Sequence, residues 1–227
     1  MFLKPRSWLP QRVIDLWDAV RFELATAWCL TWQRTYAGTD LEYLQVGSGD
    51  KLLPGFLNTD HFLSRKADFH CDIRHPLPFA SKRWAGIYAH HIVEHIWYGE
   101  ALRFFGECLR VLKPDGTLRI VVPDSEKFIR AYAGPNPLAA LRALLPEQHH
   151  AWVNPQAPMG YIGYAVYSGV MNQHRSAWDF EIMRMALIAA GFAQVQRVEC
   201  GQSRDPKLCN HDTPHWAAQS LYVEAVA

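Results

Sequence analysis

Beyond Gly38 the chain alternates short β-rich runs with segments of helix length, and few folds accept that order. The β-rich runs are LEYLQV, GFLNTD, ADFHCDI, AGIYAHHI, TLRIVVP, AQVQRVEC and SLYVEAV. Between the fourth and fifth, Gly99 to Leu112 places Ala101, Phe104, Phe105, Cys108 and Leu112 on one helical face. Lys113-Pro114-Asp115-Gly116 closes that helix, because proline cannot extend it and glycine permits the turn into the next strand. A second helix is predicted from Trp178 to Ala190, ending at Gly191. Strands alternating with helices of this length predict an α/β fold, a mostly parallel sheet with helices on both faces. Only loop, including Pro206 and Pro214, separates the last two runs, so an antiparallel C-terminal pair is expected.

Two segments stand outside this alternation. Val13, Leu16, Trp17, Val20, Leu24, Ala27 and Trp28 recur at helical spacing, so residues 1–38 read as a helical appendage that packs on the domain or caps a site. Peripheral contact with a membrane surface is the other reading of that helix. Residues 39–227 form one domain, and within it 133–175, rich in Gly, Pro and aromatics, reads as a lid-like insertion over the C-terminal edge of the sheet.

Composition removes several classes of function. Net charge is +1 and no Lys/Arg run stands out, so nucleic acid is not expected as a partner. No stretch reaches the ~18 apolar residues of a membrane span. Five scattered cysteines without a C-x-x-C fit reduced thiols and a cytoplasmic location.

The segment LQVGSGDKLLPGFLNTD ends a strand in Gly47-Ser48-Gly49 and reaches an acid at Asp60. A dinucleotide fingerprint needs a third glycine, where Leu52 stands, and an acid ~20 residues on. A P-loop needs Gly-Lys-Ser/Thr, which is missing. Asp50 to Leu57, broken by Pro54 and Gly55, has no room for the helix whose N-terminus holds pyrophosphate. An adenosyl ligand without phosphate fits better, since it needs close backbone approach and an acid for the ribose.

From Tyr43 to Asp124 the chain resembles the class I S-adenosylmethionine-dependent methyltransferases, in particular the type 11 methyltransferase-domain group. The resemblance rests on LQVGSGDKLLPGFLNTD, CDIRHPLPF, AGIYAHHIVEHI and ECLRVLKPDGTLRIVVPD, in that order, with DFEIMRMALIAAGF and SLYVEA beyond. It implies a Rossmann-like sheet with an antiparallel C-terminal strand, and S-adenosyl-L-methionine as cofactor. It also implies that Gly47, Ser48 and Gly49 line the methionine part, Asp60 takes the ribose, Asp72 and Ile73 meet the adenine edge, and His90 borders the cofactor.

HHIVEH contains His91-x-x-Glu94-His95, a zinc-peptidase pattern. Two histidines four apart converge on one ion only on a continuous helix, and here the motif leaves a strand, so no metal is expected on it. A non-peptidase metal site recruiting His149, His150 or His174 is a separate alternative. If the acceptor is a hydroxyl, a base must take its proton. His91 and His95 are the candidates, with Glu94 orienting and His174 reaching in from the insertion. Asp124 either binds substrate or caps the next helix. The expected activity is methyl transfer to oxygen of a small molecule or glycan. A metal-dependent hydrolase using His91, Glu94 and His95, and a non-catalytic binding domain, are the competing readings.

Overall fold

The computed structural model describes residues 38–62, 66–145, 157–167, 174–209, 211–212 and 214–227, with helical residues scattered between 13 and 27. Seven strands form one sheet: β1 (Tyr43–Val46), β2 (Phe56–Asp60), β3 (Phe69–His70), β4 (Trp84–His90), β5 (Leu112–Pro123), β6 (Gln194–Val198) and β7 (Ser220–Val226). Their order is β3-β2-β1-β4-β5-β7-β6. Strands β1 to β5 pair in parallel, and β7 runs antiparallel to both β5 and β6. The expected Rossmann-like, mostly parallel sheet is therefore present, antiparallel C-terminal strand included.

Alternation along the strands divides the core into two layers. Ile87, Leu118, Ile120 and Val122 point to one face, with Phe104, Phe105, Trp178 and Met183 packed there. Those partners come from α1 (Tyr98–Val111) and α5 (Phe180–Ala189) or the segment between them. Tyr88, Val121 and Tyr222 point the other way, onto Phe56 and Leu208. Gly86 is needed on that face, because a Cβ there would lie 2.8 Å from the Tyr43 ring.

Helix α1 starts where the Glu100 carboxylate accepts from the Trp97 N–H at 2.8 Å, one residue before the expected Gly99, and stops at Val111, one residue before the expected Leu112. The four residues Lys113–Gly116 then bulge out, since β4 pairs Trp84 with Leu112 but Gly86 with Thr117. No helix fills the β1–β2 crossover, in keeping with Pro54 and Gly55. The link between β6 and β7 holds more than loop: a 3-10 turn (Pro206–Leu208) and the short helix α6 (Pro214–Gln219).

The 133–175 stretch is also more regular than its composition predicts. After α2 (Ser125–Ala133) come α3 (Pro137–Leu144) and α4 (Pro158–Tyr167). Phe128, Leu141, Leu145, Tyr161 and Ala165 give them an apolar cluster of their own. In the N-terminal segment helical spacing holds, but Leu16, Trp17 and Leu24 are exposed at 67%, 49% and 62%. Ala25 is buried and Thr26 accepts from Arg74, so contact with the domain runs through that edge of the helix. Among the described residues no helix is long and apolar enough to cross a membrane.

Candidate active site

Strand order reverses between β1 and β4, and open α/β sheets bind ligands at such a point, beyond the C-terminal strand ends. A cavity of about 370 Å³ lies there, inside the range of about 300–1,000 Å³ for small-molecule sites. Gly47, Gly49, Asp60, Asp72 and Ile73 line one side, and His91, Ile92 and His95 the other. A larger hollow of about 600 Å³ opens at the opposite strand ends, beside Leu41 and Phe56. Its one carboxylate, Asp68, already accepts from the Asn58 backbone and side chain, which leaves the β1–β4 cavity as the chemical site.

Its first wall suits a cofactor without phosphate. Gly47 has φ +69°, and a Cβ there would strike Ile92 at 2.7 Å, so only glycine lets the backbone pass this close to the β4 exit. Gly49 has φ +53° and open space where a Cβ would stand. Its N–H donates to Asp60 Oδ2 at 2.8 Å, while Asp60 Oδ1 accepts from the Phe62 N–H at 2.8 Å. The carboxylate is thereby fixed, with one lone pair on each oxygen left for a diol. Ser48 belongs to the same turn but is buried, its N–H bonded to the Thr59 carbonyl, and it does not line the cavity.

Asp72 is held by a residue that sequence reasoning missed. Arg74 donates to both carboxylate oxygens from Nε, at 3.0 and 3.1 Å, and from Nη2 to Oδ2 at 2.6 Å. Its Nη2 also reaches Thr26 Oγ1 of the N-terminal helix at 2.8 Å. An arginine two residues after an acid in CDIRH was the available signal. Burial alone would raise the Asp72 pKa, but the hydrogen bonds from Arg74 and the nearby His61 outweigh it and hold it below 3.8. Asp212, under burial opposed by His90 and Tyr88, is lowered in the same way. Both groups ionise more readily folded than unfolded. Their stabilisation is therefore complete above pH ~4 and lost as pH falls through the lower folded values. Thermal melts of Asp72→Asn between pH 2 and 6 should show a flatter acid limb than the parent; an unchanged limb would contradict this assignment.

The second wall is built by the strand exit. The His91 N–H still bonds to the Val121 carbonyl, continuing the β4–β5 ladder, but His91 itself has φ +50° and turns the chain. A 3-10 turn, Val93–His95, follows. The motif is thus a corner and not a continuous helix, and His91 and His95 go to different partners. His91 Nε2 lies 2.9 Å from Ser220 Oγ, and Nδ1 3.0 Å from Glu94 Oε1. The second contact is close enough for charge interaction without hydrogen-bond alignment, since both Glu94 oxygens lack a bonded donor. Glu94 is 1% exposed. Burial would raise its pKa, yet the imidazoles of His91, His95 and His174 together bring it down to about 2.

His174 does arrive at this corner. Arg175 and Ser176 donate their N–H groups to the Glu94 carbonyl at 2.7 and 3.2 Å, and this tether sets the His174 ring against His95, centroids 4.9 Å apart. His174 Nδ1 lies 2.8 Å from the Ala165 carbonyl, and burial lowers its pKa. His90 is not brought into the cavity. It is half-buried beside Asp212, Nε2 to Oδ1 at 2.7 Å, with the Tyr88 hydroxyl donating to the same oxygen at 3.0 Å. Asp124 takes the capping role: it accepts from the Glu126 and Lys127 N–H groups at the start of α2 and pairs with Arg197 at 2.7 Å. His149 and His150 lie outside the described residues, as do residues 1–12 and 28–37 with Trp28. Ser220 and Asp212 carried no sequence signal, because each comes from a C-terminal segment more than 120 residues from its partner at the β4 exit.

Comparison with known proteins bears on this geometry. Residues 30–120 match the family model of a methyltransferase domain. A search of curated proteins finds no match. Among solved structures, a provisionally assigned O-methyltransferase of Nostoc punctiforme aligns at 10% identity and TM-score 0.49, over 99% of this chain and 63% of that one. The chain thus spans under two thirds of that protein's length. A SAM-dependent methyltransferase of Thermotoga maritima aligns at 12% identity and TM-score 0.49, over 95% of this chain and 97% of that one. One from Archaeoglobus fulgidus aligns at 14% identity and TM-score 0.44, over 93% and 98%. The matched segment carries the β1 glycines, Asp60, Asp72 and the β4 corner, so the residues that line the cavity lie in the part of the chain that is similar to a methyltransferase domain.

Proposed function

We propose that the protein is an S-adenosyl-L-methionine-dependent methyltransferase that methylates oxygen on a small molecule or glycan, and that His91 takes the proton of the acceptor hydroxyl. The observation that carries this reading is the cavity itself: the Gly47, Gly49 and Asp60 wall faces a wall of imidazoles, His91 and His95, across one space. Gly47 and Gly49 would hold the methionine part, Asp60 the ribose diol, and Asp72 with Ile73 the adenine edge. The bound cofactor supplies an electrophilic sulfonium methyl, whose bonding pair returns to sulfur as the new carbon–oxygen bond forms.

The chain's own work is alignment and proton removal. Glu94, buried beside Nδ1, favours the tautomer with its proton on that nitrogen and leaves Nε2 bare. Ser220 Oγ now stands where a hydroxyl would donate to it. Ile92 and Ile96 complete an apolar floor that keeps water from the methyl. The buried Cys71 and Cys108 and part-buried Cys200 and Cys209, none in a disulfide, support a cytoplasmic enzyme.

Calorimetric titration with S-adenosylhomocysteine, followed by a methyl-donor assay over phenols, sugars and polyols, tests the reading. Binding should be tight in the parent. Asp60→Ala should weaken it by ~1–3 kcal/mol, the worth of hydrogen bonds to a charged carboxylate. Methylation confined to amine or carbon acceptors would reject the oxygen assignment.

A further inference from the structure

Glu94, His95 and His174 form a cluster that the cofactor does not use. Their ligand-capable atoms, one from each residue, lie within 4.8 Å of one another. We propose that these three side chains hold a divalent transition-metal ion, zinc in the first place, as a two-histidine, one-carboxylate site open toward the cavity. This departs from the expectation that HHIVEH carries no metal. That expectation concerned His91 with His95, and His91 is not a member of the set.

Three observations carry the proposal. Both Glu94 carboxylate oxygens and His95 Nδ1 are buried without a hydrogen-bond partner. His91 Nδ1 stands 3.0 Å from one of those oxygens without an aligned hydrogen bond, and a cation bound directly to the carboxylate would satisfy its buried lone pairs. His174 points Nδ1 at the Ala165 carbonyl, which leaves Nε2 with its lone pair free. A ligating histidine is oriented in this way, its other nitrogen donating to a carbonyl. Finally, the N–H groups of Arg175 and Ser176 on the Glu94 carbonyl, with Ser176 Oγ donating to the Val93 carbonyl at 3.3 Å, lock the His174 segment to the turn that carries the other two ligands.

Nitrogen and oxygen donors of this kind suit zinc, iron(II) or cobalt(II) and not calcium or magnesium. Neighbouring ligand atoms around a tetrahedral ion are about 3.4 Å apart, so rotamer adjustment of roughly an ångström closes the site. Three protein ligands leave a coordination position, and His95 lines the cavity where the acceptor would enter. The role rests on the methyl-transfer reading: an ion there would bind the acceptor oxygen as a Lewis acid and make its proton easier to lose to His91.

The test is made on full-length, chelator-treated protein titrated separately with Zn²⁺ and Co²⁺, without cofactor, by calorimetry and by the visible absorption of Co²⁺. One ion per chain should bind, and the Co²⁺ spectrum should be that of a low-coordinate nitrogen–oxygen site. His95→Ala and His174→Gln should each weaken binding by more than about 100-fold, beyond the 10–100-fold known for outer-shell changes. His91→Ala should keep the ion. S-adenosylhomocysteine binding by each variant verifies its fold, and its failure in the parent would strike the methyltransferase reading while leaving the metal result intact. Absence of ion binding, binding that survives His174→Gln in folded protein, or loss of the ion in His91→Ala would overturn the proposal.

Discussion

Replacing Arg119 by methionine should cost about 3–5 kcal/mol of stability, which in a chain of this size is a fall of about 6–20 °C in Tm. Arg119 on β5 stands directly across from Glu224 on β7, and the two pair at 2.8 Å with side chains 1% and 0% exposed. Arg119 Nη1 also donates to the Gln202 carbonyl at 2.6 Å, and Glu224 Oε2 accepts from the Arg204 N–H at 3.1 Å. Methionine would fill much of the volume, so the loss comes from the carboxylate left behind, charged and desolvated. The double variant Arg119→Met/Glu224→Leu separates the two effects. It removes both charges and leaves only Gln202 and Arg204 backbone groups, which belong to exposed residues and can turn to water. It should therefore return to within about 1 kcal/mol of the parent, as buried ion pairs exchanged whole for apolar residues do. A single variant that melts with the parent would show that Glu224 finds another partner, and the pair would lose its structural role.

That pair also marks what a sequence can and cannot disclose. TLRIVVP and SLYVEAV were legible as strands from their β-branched residues. Nothing in either run marked its lone charge, Arg119 or Glu224, as buried. Only the sheet order, which sets Arg119 opposite Glu224 across 105 positions, makes them mutual partners. The same distinction runs through the site. Gly47, Gly49 and Asp60 lie together in LQVGSGDKLLPGFLNTD, Asp72 and Ile73 came from the resemblance of CDIRHPLPF, and all five line the cavity. His174 could only be offered as a residue that reaches in, and Ser220, Asp212 and Arg74 were not anticipated. Each acts through a contact that no local spacing encodes. The α3 helix was hidden by Pro137, which reads as a breaker, though proline at a helix's first turn costs nothing because that N–H has no partner to lose. In the N-terminal helix the period disclosed the conformation but not the face: its apolar stripe is exposed, and Thr26 on another edge makes the contact.

Folded His91→Ala should lose about 10²–10⁴-fold in turnover and keep its affinity for S-adenosylhomocysteine nearly intact. The asymmetry follows from where the ring stands. Its nitrogens face Ser220 and Glu94, on the acceptor side, while the glycines and Asp60 that would bind the cofactor bond to one another and to Phe62. Alanine also keeps the left-handed backbone at φ +50°, a strain of roughly 1–2 kcal/mol that the corner already bears. His91→Asn makes a second test, because asparagine accepts that conformation more readily yet offers no basic nitrogen. Ser220→Ala should behave differently, since it uncovers Nε2 without removing it, and turnover should fall by far less than in either His91 variant. A histidine that merely packs against Trp216, 4.6 Å away, predicts another pattern: melting temperature and cofactor affinity would drop together in His91→Ala, and His91→Asn would restore both along with turnover. Parent-like turnover in both His91 variants would remove His91 from the chemistry and return the role of proton acceptor to His95.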